Sequence, residues 1–216
     1  MRIVILGPPG SGKGTQAKII SEMYGIPHIN TGDLLREEVA KGTEVGRIAK
    51  PYMDQGKLVP DDVITRMLEE RLSQEDCKGG FILDGYPRNL HQVDLLDEIL
   101  KRLGVDLDCV LNILIDDEVV VRRLTTRRIC SVCGAIYNLI NKPPKKEGVC
   151  DICGGRLIQR DDDREEVIRR RLEVYKEQSE PVLERYRKRG LVRDIRGDVG
   201  LEALPAEIKR VLAGCK

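Results

Sequence analysis

The feature that most limits what this chain can fold into lies in its first fifteen residues. An apolar run, Ile3-Val4-Ile5-Leu6, passes directly into Gly7-Pro8-Pro9-Gly10-Ser11-Gly12-Lys13-Gly14-Thr15, and helical spacing begins at Lys13. A strand, a glycine turn and a helix in that order let backbone N–H groups turn inward around an anion. The helix N-terminus adds positive potential. Gly7-x-x-x-x-Gly12-Lys13 matches the phosphate-binding loop, with Lys13 placed for outer phosphates. The next position is Gly14, not Ser or Thr, and Thr15 follows one place later. No hydroxyl therefore stands directly after the lysine to hold a metal ion, as one does in many nucleotide hydrolases.

The rest of the chain repeats the alternation. Strands are expected at Ile3–Leu6, Ile26–Asn30, Phe81–Leu83, Val110–Ile115 and Leu191–Ile195. Helical spacing runs through Lys13–Tyr24, through Val63, Ile64, Met67, Leu68 and Leu72, and through Val93, Leu96, Leu100 and Leu103. A long helix from Ile168 to Tyr186 is expected to kink at Pro181, and Leu201, Leu204, Ile208 and Val211 mark a closing helix. Strands alternating with helices imply an α/β fold: a mostly parallel sheet covered on both faces by helices. The 216 residues suffice for one compact domain with small insertions.

Cys130 to Gly155 breaks the pattern. Its glycines, lysines and paired Pro143-Pro144 show no long period, so it reads as an inserted module. Cys130-x-x-Cys133 and Cys150-x-x-Cys153 stand sixteen residues apart, within the spacing of a four-cysteine zinc ribbon. A module too short to bury much apolar surface gains most from a metal staple. Four protein thiolates leave no open coordination position, so the expected Zn2+ is structural. Cys77, Cys109 and Cys215 read as small apolar filler.

Charge narrows the function. With 37 basic and 36 acidic residues, the net charge is +1, without the basic excess of a duplex nucleic-acid binder. The N-terminal apolar run is too short for a signal peptide or a membrane span, so a soluble cytoplasmic protein is expected. Charges of both signs crowd Asp161 to Arg189, as in the ion-pair networks of heat-adapted proteins.

Further motifs extend the phosphate loop into a site. Thr31-Gly32-Asp33 precedes Leu34-Leu35, so Thr31 is expected to cap a helix, with Arg36 one turn in and able to reach an anion. Asp84 ends a buried strand, at the carboxyl edge where open α/β sheets bind ligands. A carboxylate there can orient waters around Mg2+. Gly85-Tyr86-Pro87 is a tight bend that presents Arg88. Arg123, Arg127, Arg160 and Arg171 flank the inserted module and converge on the phosphates if it folds over the loop.

Gly-x-Pro-Gly-x-Gly-Lys-Gly-Thr, Asn30-Thr31-Gly32-Asp33-Leu34-Leu35-Arg36 and Leu83-Asp84-Gly85-Tyr86-Pro87-Arg88 together resemble the adenylate kinase family. The likeness continues through Gly56-Lys57-Leu58-Val59-Pro60, Arg123 to Arg128, and Arg160-Asp161-Asp162-Asp163 to Arg171. It spans essentially the whole chain and matches the long-lid, zinc-bearing branch.

The resemblance implies a P-loop core of residues 1–29, 60–125 and 164–216, an AMP-binding insertion at 30–59 and a zinc-binding lid at 126–163. It implies ATP, AMP and ADP as substrates, Mg2+ with the nucleotide, and a monomer without nucleic-acid or membrane partners. ATP is expected at Gly10, Ser11, Gly12, Lys13, Gly14, Thr15, Arg123 and Arg127, with Ile136, Tyr137 and Val199 around its base. AMP is expected at Thr31, Arg36, Lys57, Leu58, Val59, Gly85, Tyr86, Pro87 and Arg88, with Gln92 reading the adenine edge. Arg160 and Arg171 reach the same phosphates, and Asp162 and Asp163 form an acidic pair at the lid base. Two departures stand out: Thr126 replaces the family's frequent glycine and could stiffen the lid hinge, and Pro51 interrupts a helical pattern and is expected to kink it. A relative using GTP, UMP or CMP, and a zinc-ribbon nucleic-acid binder, are the alternatives. Thr31 and Gln92 favour AMP, and the lack of exposed aromatics disfavours base stacking.

Overall fold

The computed structural model describes residues 1–200 and 202–215; Leu201, placed at the head of the closing helix by its spacing, lies outside the described residues. The main sheet has five strands: β1 (Arg2–Leu6), β2 (His28–Asn30), β3 (Phe81–Asp84), β4 (Cys109–Leu114) and β8 (Val192–Arg196). Their order is β2-β3-β1-β4-β8, and every pairing is parallel. Alternation along β1 divides the core. Ile3 and Ile5 join Ile82 and Leu111 on one face, packed by α1 (Lys13–Tyr24) and α9 (Leu204–Leu212). Val4 and Leu6 join Leu83 and Val110 on the other, packed by α4 (Asp61–Leu72), α5 (Leu90–Leu103) and α8 (Glu180–Lys188). Tyr186 and Tyr86 fill the second face in place of tryptophan.

Between β2 and α4 the chain forms α2 (Thr31–Lys41) and α3 (Glu44–Asp54). The N-cap of α2 is Asn30 rather than the expected Thr31: the Asn30 Oδ1 accepts from the Asp33 N–H at 2.9 Å. Pairing of β2 with β3 carries extended backbone only as far as Asn30, so the helix starts at Thr31, one residue earlier than Thr31 as cap would require. α3 continues through Pro51 and ends at Asp54.

The module after α6 (Asp117–Thr125) is a three-stranded antiparallel sheet, β6-β5-β7, from β5 (Arg127–Cys130), β6 (Ile136–Asn138) and β7 (Leu157–Ile158). Strands this short carry no readable period. Its core is Cys130, Tyr137, Cys150 and Leu157, with Ala135 packed against it.

The long helix is broken before Pro181, not at it. α7 (Glu165–Val174) gives way to a π-helical stretch, Tyr175–Ser179, and α8 follows with Pro181 in its first turn. Proline lacks an N–H and crowds the carbonyl four residues back; the wider turn absorbs both. The same widening brings Ser179 inward, where its hydroxyl donates to the Arg88 carbonyl at 2.9 Å. The expected surface ion pairs are present, among them Arg169–Glu165, Arg185–Asp94 and Arg189–Asp97. No helix among the described residues is long and apolar enough to cross a membrane.

The α2–α3 crossing depends on Gly46. A Cβ there would lie 2.2 Å from the Glu38 carbonyl oxygen and 2.6 Å from the Val39 nitrogen. Gly46→Ala is expected to force the two helices apart at a cost of about 1–3 kcal/mol, read as a lower melting temperature; an unchanged melting temperature would contradict this close approach.

Candidate active site

The carboxyl ends of β1, β2 and β3 open into a cleft. The larger part holds about 930 Å3 and is walled by the phosphate loop, Asp84, Arg123, Arg127, Arg160 and the loop at Val199 that follows β8. A smaller recess of about 60 Å3 continues from it, bounded by Leu35, Lys57, Leu58, Val59, Ile64 and Gln92. Arg36, Arg88 and Arg171 line both.

The phosphate loop is built for an anion. Gly7, Gly10 and Gly12 have φ values of 148°, 72° and 100°, open only to glycine without strain. Lys13 folds back, its Nζ donating to the carbonyls of Gly7 and Pro8 at 2.9 and 2.8 Å. Ser11 Oγ and Gln16 Oε1 are buried without a protein partner. Gly14 and Thr15 complete the wall.

Asp84 sits beside the lysine at the cleft floor, 2 % exposed. Burial pushes its carboxyl up, but hydrogen bonds from His28 and Asn30 and the Lys13 charge more than offset this and hold it below the usual carboxylate range. After it, Gly85 has a φ of 88°, and a Cβ there would meet Thr31 Oγ1 at 2.7 Å. The bend turns Arg88 inward, with its Nε donating to the Gly85 carbonyl at 2.7 Å. Pro87 lines the cleft, while the Tyr86 side chain points into the core and bonds Thr65 at 2.9 Å, leaving only its main chain to border a ligand.

The recess shows Gln92 in an unforeseen role. Its Oε1 accepts from the Arg88 N–H and its Nε2 donates to Asp61, each at 2.7 Å. Before it can read a base edge it already fixes the backbone of Arg88. Thr31 is fully buried, its hydroxyl donating to the Asp84 carbonyl at 3.3 Å. Arg36 donates to Asp33 at 2.6 Å and lies 3.7 Å from Asp162.

The module's base supplies the remaining charges. Arg127 donates to both oxygens of the fully buried Asp163, at 2.7 and 2.6 Å. Arg171 donates to Asp162 at 3.1 Å, Arg160 lies 3.4 Å from Asp33, and Arg123 donates to the Gly197 carbonyl at 3.0 Å. Asp161 is exposed, so Asp162 and Asp163 are the pair that clamps the arginines. Burial lowers Arg88 and Arg160 to about 10, and neighbouring arginines deepen both shifts; burial lowers Arg171 too. So much cationic charge in one place, short of counter-charge, is what a bound polyanion would relieve. Ile136 and Tyr137 line the cleft from the module. Sequence reasoning missed Asn141, Lys142, Asp198 and Glu202, which also line it: they are loop residues of common type, placed only by the fold.

In the module the four sulfurs of Cys130, Cys133, Cys150 and Cys153 lie within 4.8 Å of one another, a cluster that can hold a metal ion. The N–H groups of Val132 and Cys133 aim at Cys130 Sγ at 3.4 and 3.5 Å. The Tyr137 hydroxyl, 3.4 Å from Cys150 Sγ, draws that thiol down to about 6. Cys153 goes the other way, to about 12: the Gly155 N–H favours its thiolate, but the sulfurs of Cys133 and Cys130 outweigh it. Four thiolates this close coexist only around a cation, so the donor set fits one.

A parallel sheet with a glycine loop at its carboxyl edge, and two joined cavities sharing three arginines, defines a P-loop phosphotransferase acting on two phosphorylated ligands. The family model described as adenylate kinase matches residues 5–191. An adenylate kinase of Archaeoglobus fulgidus is 54% identical over 216 residues, all of both chains. One of Acetivibrio thermocellus is 50% identical over the same span, and one of Thermodesulfovibrio yellowstonii is 52% identical, covering 98% of this chain and 99% of its own. The chain belongs to the adenylate kinase family, and with it to the phosphotransferases that act between adenine nucleotides.

Burial lowers the Lys13 amine to about 8, with the Asp84 charge opposing and Arg88, Arg171 and Arg127 reinforcing the shift. A bound phosphate favours the protonated amine and returns it toward its ordinary 10.5. Nucleoside triphosphate affinity is therefore expected to be flat below pH 8 and to fall above it, with proton uptake on binding of roughly 0.7 at pH 8.5. Titration calorimetry in buffers of different ionisation enthalpy measures this, and equal heats in all buffers would contradict it.

Proposed function

We propose that the chain catalyses reversible transfer of the γ-phosphoryl group of ATP to AMP, giving two ADP, as a monomer in the cytoplasm. The observation that carries this reading is the set Arg36, Arg88 and Arg171 common to both cavities. A donor in the larger cavity and an acceptor in the smaller one bring their phosphates together at those guanidiniums. The transition state spreads negative charge over the transferring oxygens, so positioning and positive potential supply most of the catalysis.

The loop N–H groups and Lys13 hold the donor's outer phosphates, and Arg123 and Arg127 flank them. Arg88 and Arg36 hold the acceptor phosphate; Arg160 and Arg171 neutralise charge between the two. Thr31, Gln92 and the main chain of Lys57 to Val59 border the acceptor base, and Ile136, Tyr137 and Val199 the donor base. A bound Mg2+ ion screens the donor phosphates, and the buried carboxylate of Asp84 with the orphaned Gln16 Oε1 fits a hydrated dication in this cleft. The insertions at 30–59 and 126–163 close over the substrates and exclude water, which would otherwise take the phosphoryl group. The four thiolates hold a structural Zn2+ that keeps the second insertion folded.

ADP formation from ATP and Mg2+ with AMP, GMP, CMP and UMP in parallel tests the acceptor. Turnover with AMP alone is expected, and preference for a pyrimidine would reassign the recess. Arg88→Ala is expected to lower kcat by roughly 10²–10³-fold with the melting temperature nearly unchanged, and near-normal kcat would remove Arg88 from the reaction.

Cys130→Ser is expected to reduce bound zinc from one per chain toward zero, by atomic absorption, and to lower the melting temperature by roughly 5 °C or more. Unchanged metal content would overturn the four-cysteine site.

A further inference from the structure

The way Asp84 is held points to a residue that the assigned motifs leave without a part. Asp84 and Asn30 are register partners across β3 and β2, and His28 lies two residues earlier on the same face of β2. Both donate to one oxygen of the carboxylate: Asn30 Nδ2 to Oδ2 at 2.6 Å, and His28 Nε2 to Oδ2 at 3.2 Å. Among the described residues, no side chain or backbone group donates to Oδ1, and Asp84 lines the cleft. One oxygen of the carboxylate is thus taken up by β2, and the other is left for a partner that is not a protein donor among the described residues.

Asn30 does a second thing with its other amide atom. Its Oδ1 caps α2 through the Asp33 N–H at 2.9 Å. Thr31, the next residue, donates to the Asp84 main-chain carbonyl at 3.3 Å. One side chain therefore joins the first turn of the acceptor-side helix, which carries Thr31 and Arg36, to the carboxylate on the donor side. A planar amide with both ends bonded has no rotamer freedom left, so the Asp84 orientation follows the position of α2.

We propose that Asn30 is a positioning residue for phosphoryl transfer, turning the Asp84 carboxylate toward the metal–nucleotide and tying it to the acceptor helix. This rests on the reading of Asp84 as the carboxylate facing a hydrated Mg2+. Its distinguishing property is selectivity between metal-bound and metal-free ATP, because both amide atoms of Asn30 are already engaged by protein partners, Nδ2 by Asp84 and Oδ1 by the Asp33 N–H.

The test compares Asn30→Gly with Asp84→Asn. Glycine is nearly as good an N-cap as asparagine, so the helix start is kept while the donor to Asp84 is lost without added charge. Titration calorimetry measures ATP binding with Mg2+ and with a chelator, and steady-state rates give kcat and the KM for AMP. For Asn30→Gly the ratio of Mg-ATP to metal-free ATP affinity is expected to fall roughly tenfold, the size of one charge-assisted hydrogen bond. Affinity for metal-free ATP and KM for AMP should stay within about twofold, and kcat should fall with the ratio. A parent-like ratio in Asn30→Gly with a reduced ratio in Asp84→Asn would overturn the role of Asn30 alone. A parent-like ratio in Asp84→Asn would overturn the reading of Asp84 itself. Equal loss of both affinities in Asn30→Gly, with a lower melting temperature, would show a structural cap only and also overturn the proposal.

Discussion

Repulsion among cations in the cleft governs how the rest of the molecule is arranged. Lys13, Arg36, Arg88, Arg127, Arg160 and Arg171 share one space, and burial disfavours the charge on four of them. A fold that simply collapsed around such a cluster would lose several kcal/mol per uncompensated ion. Four carboxylates meet the cost from below, the first being Asp33, which takes Arg36 and faces Arg160. Asp163 takes Arg127 with both oxygens, Asp162 takes Arg171 and faces Arg36, and Asp84 stands beside Lys13. Asp162 shows the balance: burial pushes its carboxyl up, yet Arg171, Arg36, Arg127 and Arg160 together hold it below the usual range. The acids number fewer than the bases, so the cleft stays positive and receptive to phosphates.

The sheet makes that crowding possible. Parallel strands put all their carboxyl ends on one edge, so the phosphate loop after β1, Asn30 at the end of β2 and Asp84 at the end of β3 arrive as neighbours although they lie far apart in sequence. The π-helical stretch at Tyr175–Ser179 extends the same logic to the opposite wall. It interrupts a helix whose only apparent fault is Pro181, and in doing so lowers Ser179 onto the Arg88 carbonyl. Arg88 is then held from three sides: Gly85 by its Nε, Gln92 by its N–H and Ser179 by its carbonyl.

Much of this was legible in the residues. The phosphate loop carries its own mechanism, and the buried runs at Ile3, Phe81 and Val110 lie within a residue or so of the strands they form. The cysteine pairs announced their cluster by spacing alone. What stayed hidden depends on register or on competition between equals. Asn30 and Thr31 are both good caps; which one caps is decided by how far β2 pairs with β3, a contact more than fifty residues away in sequence. The engagement of Gln92 with Asp61 spans thirty-one residues and has no local signature. The three strands of the module are two to four residues long, too short for alternation to be counted.

The module has a small core of its own, separate from the clusters on the two faces of the main sheet. Its apolar cluster is half cysteine, so two of the four clustered thiols are also the packing, and nothing from the main sheet is needed to complete it. Its attachment is correspondingly narrow. Thr126 donates through its hydroxyl to the Arg122 carbonyl at 2.7 Å and accepts from Asn138 at 2.9 Å. Asn138 also donates to the Arg123 carbonyl at 3.1 Å. A glycine at position 126 could form neither side-chain bond, so this chain replaces a loose joint with one fastened to both the helix and the hairpin. At the module's base the pairs Arg127–Asp163 and Arg171–Asp162 supply part of the counter-charge of the cleft, so the same contacts that balance its cations also fasten the module where it meets the core.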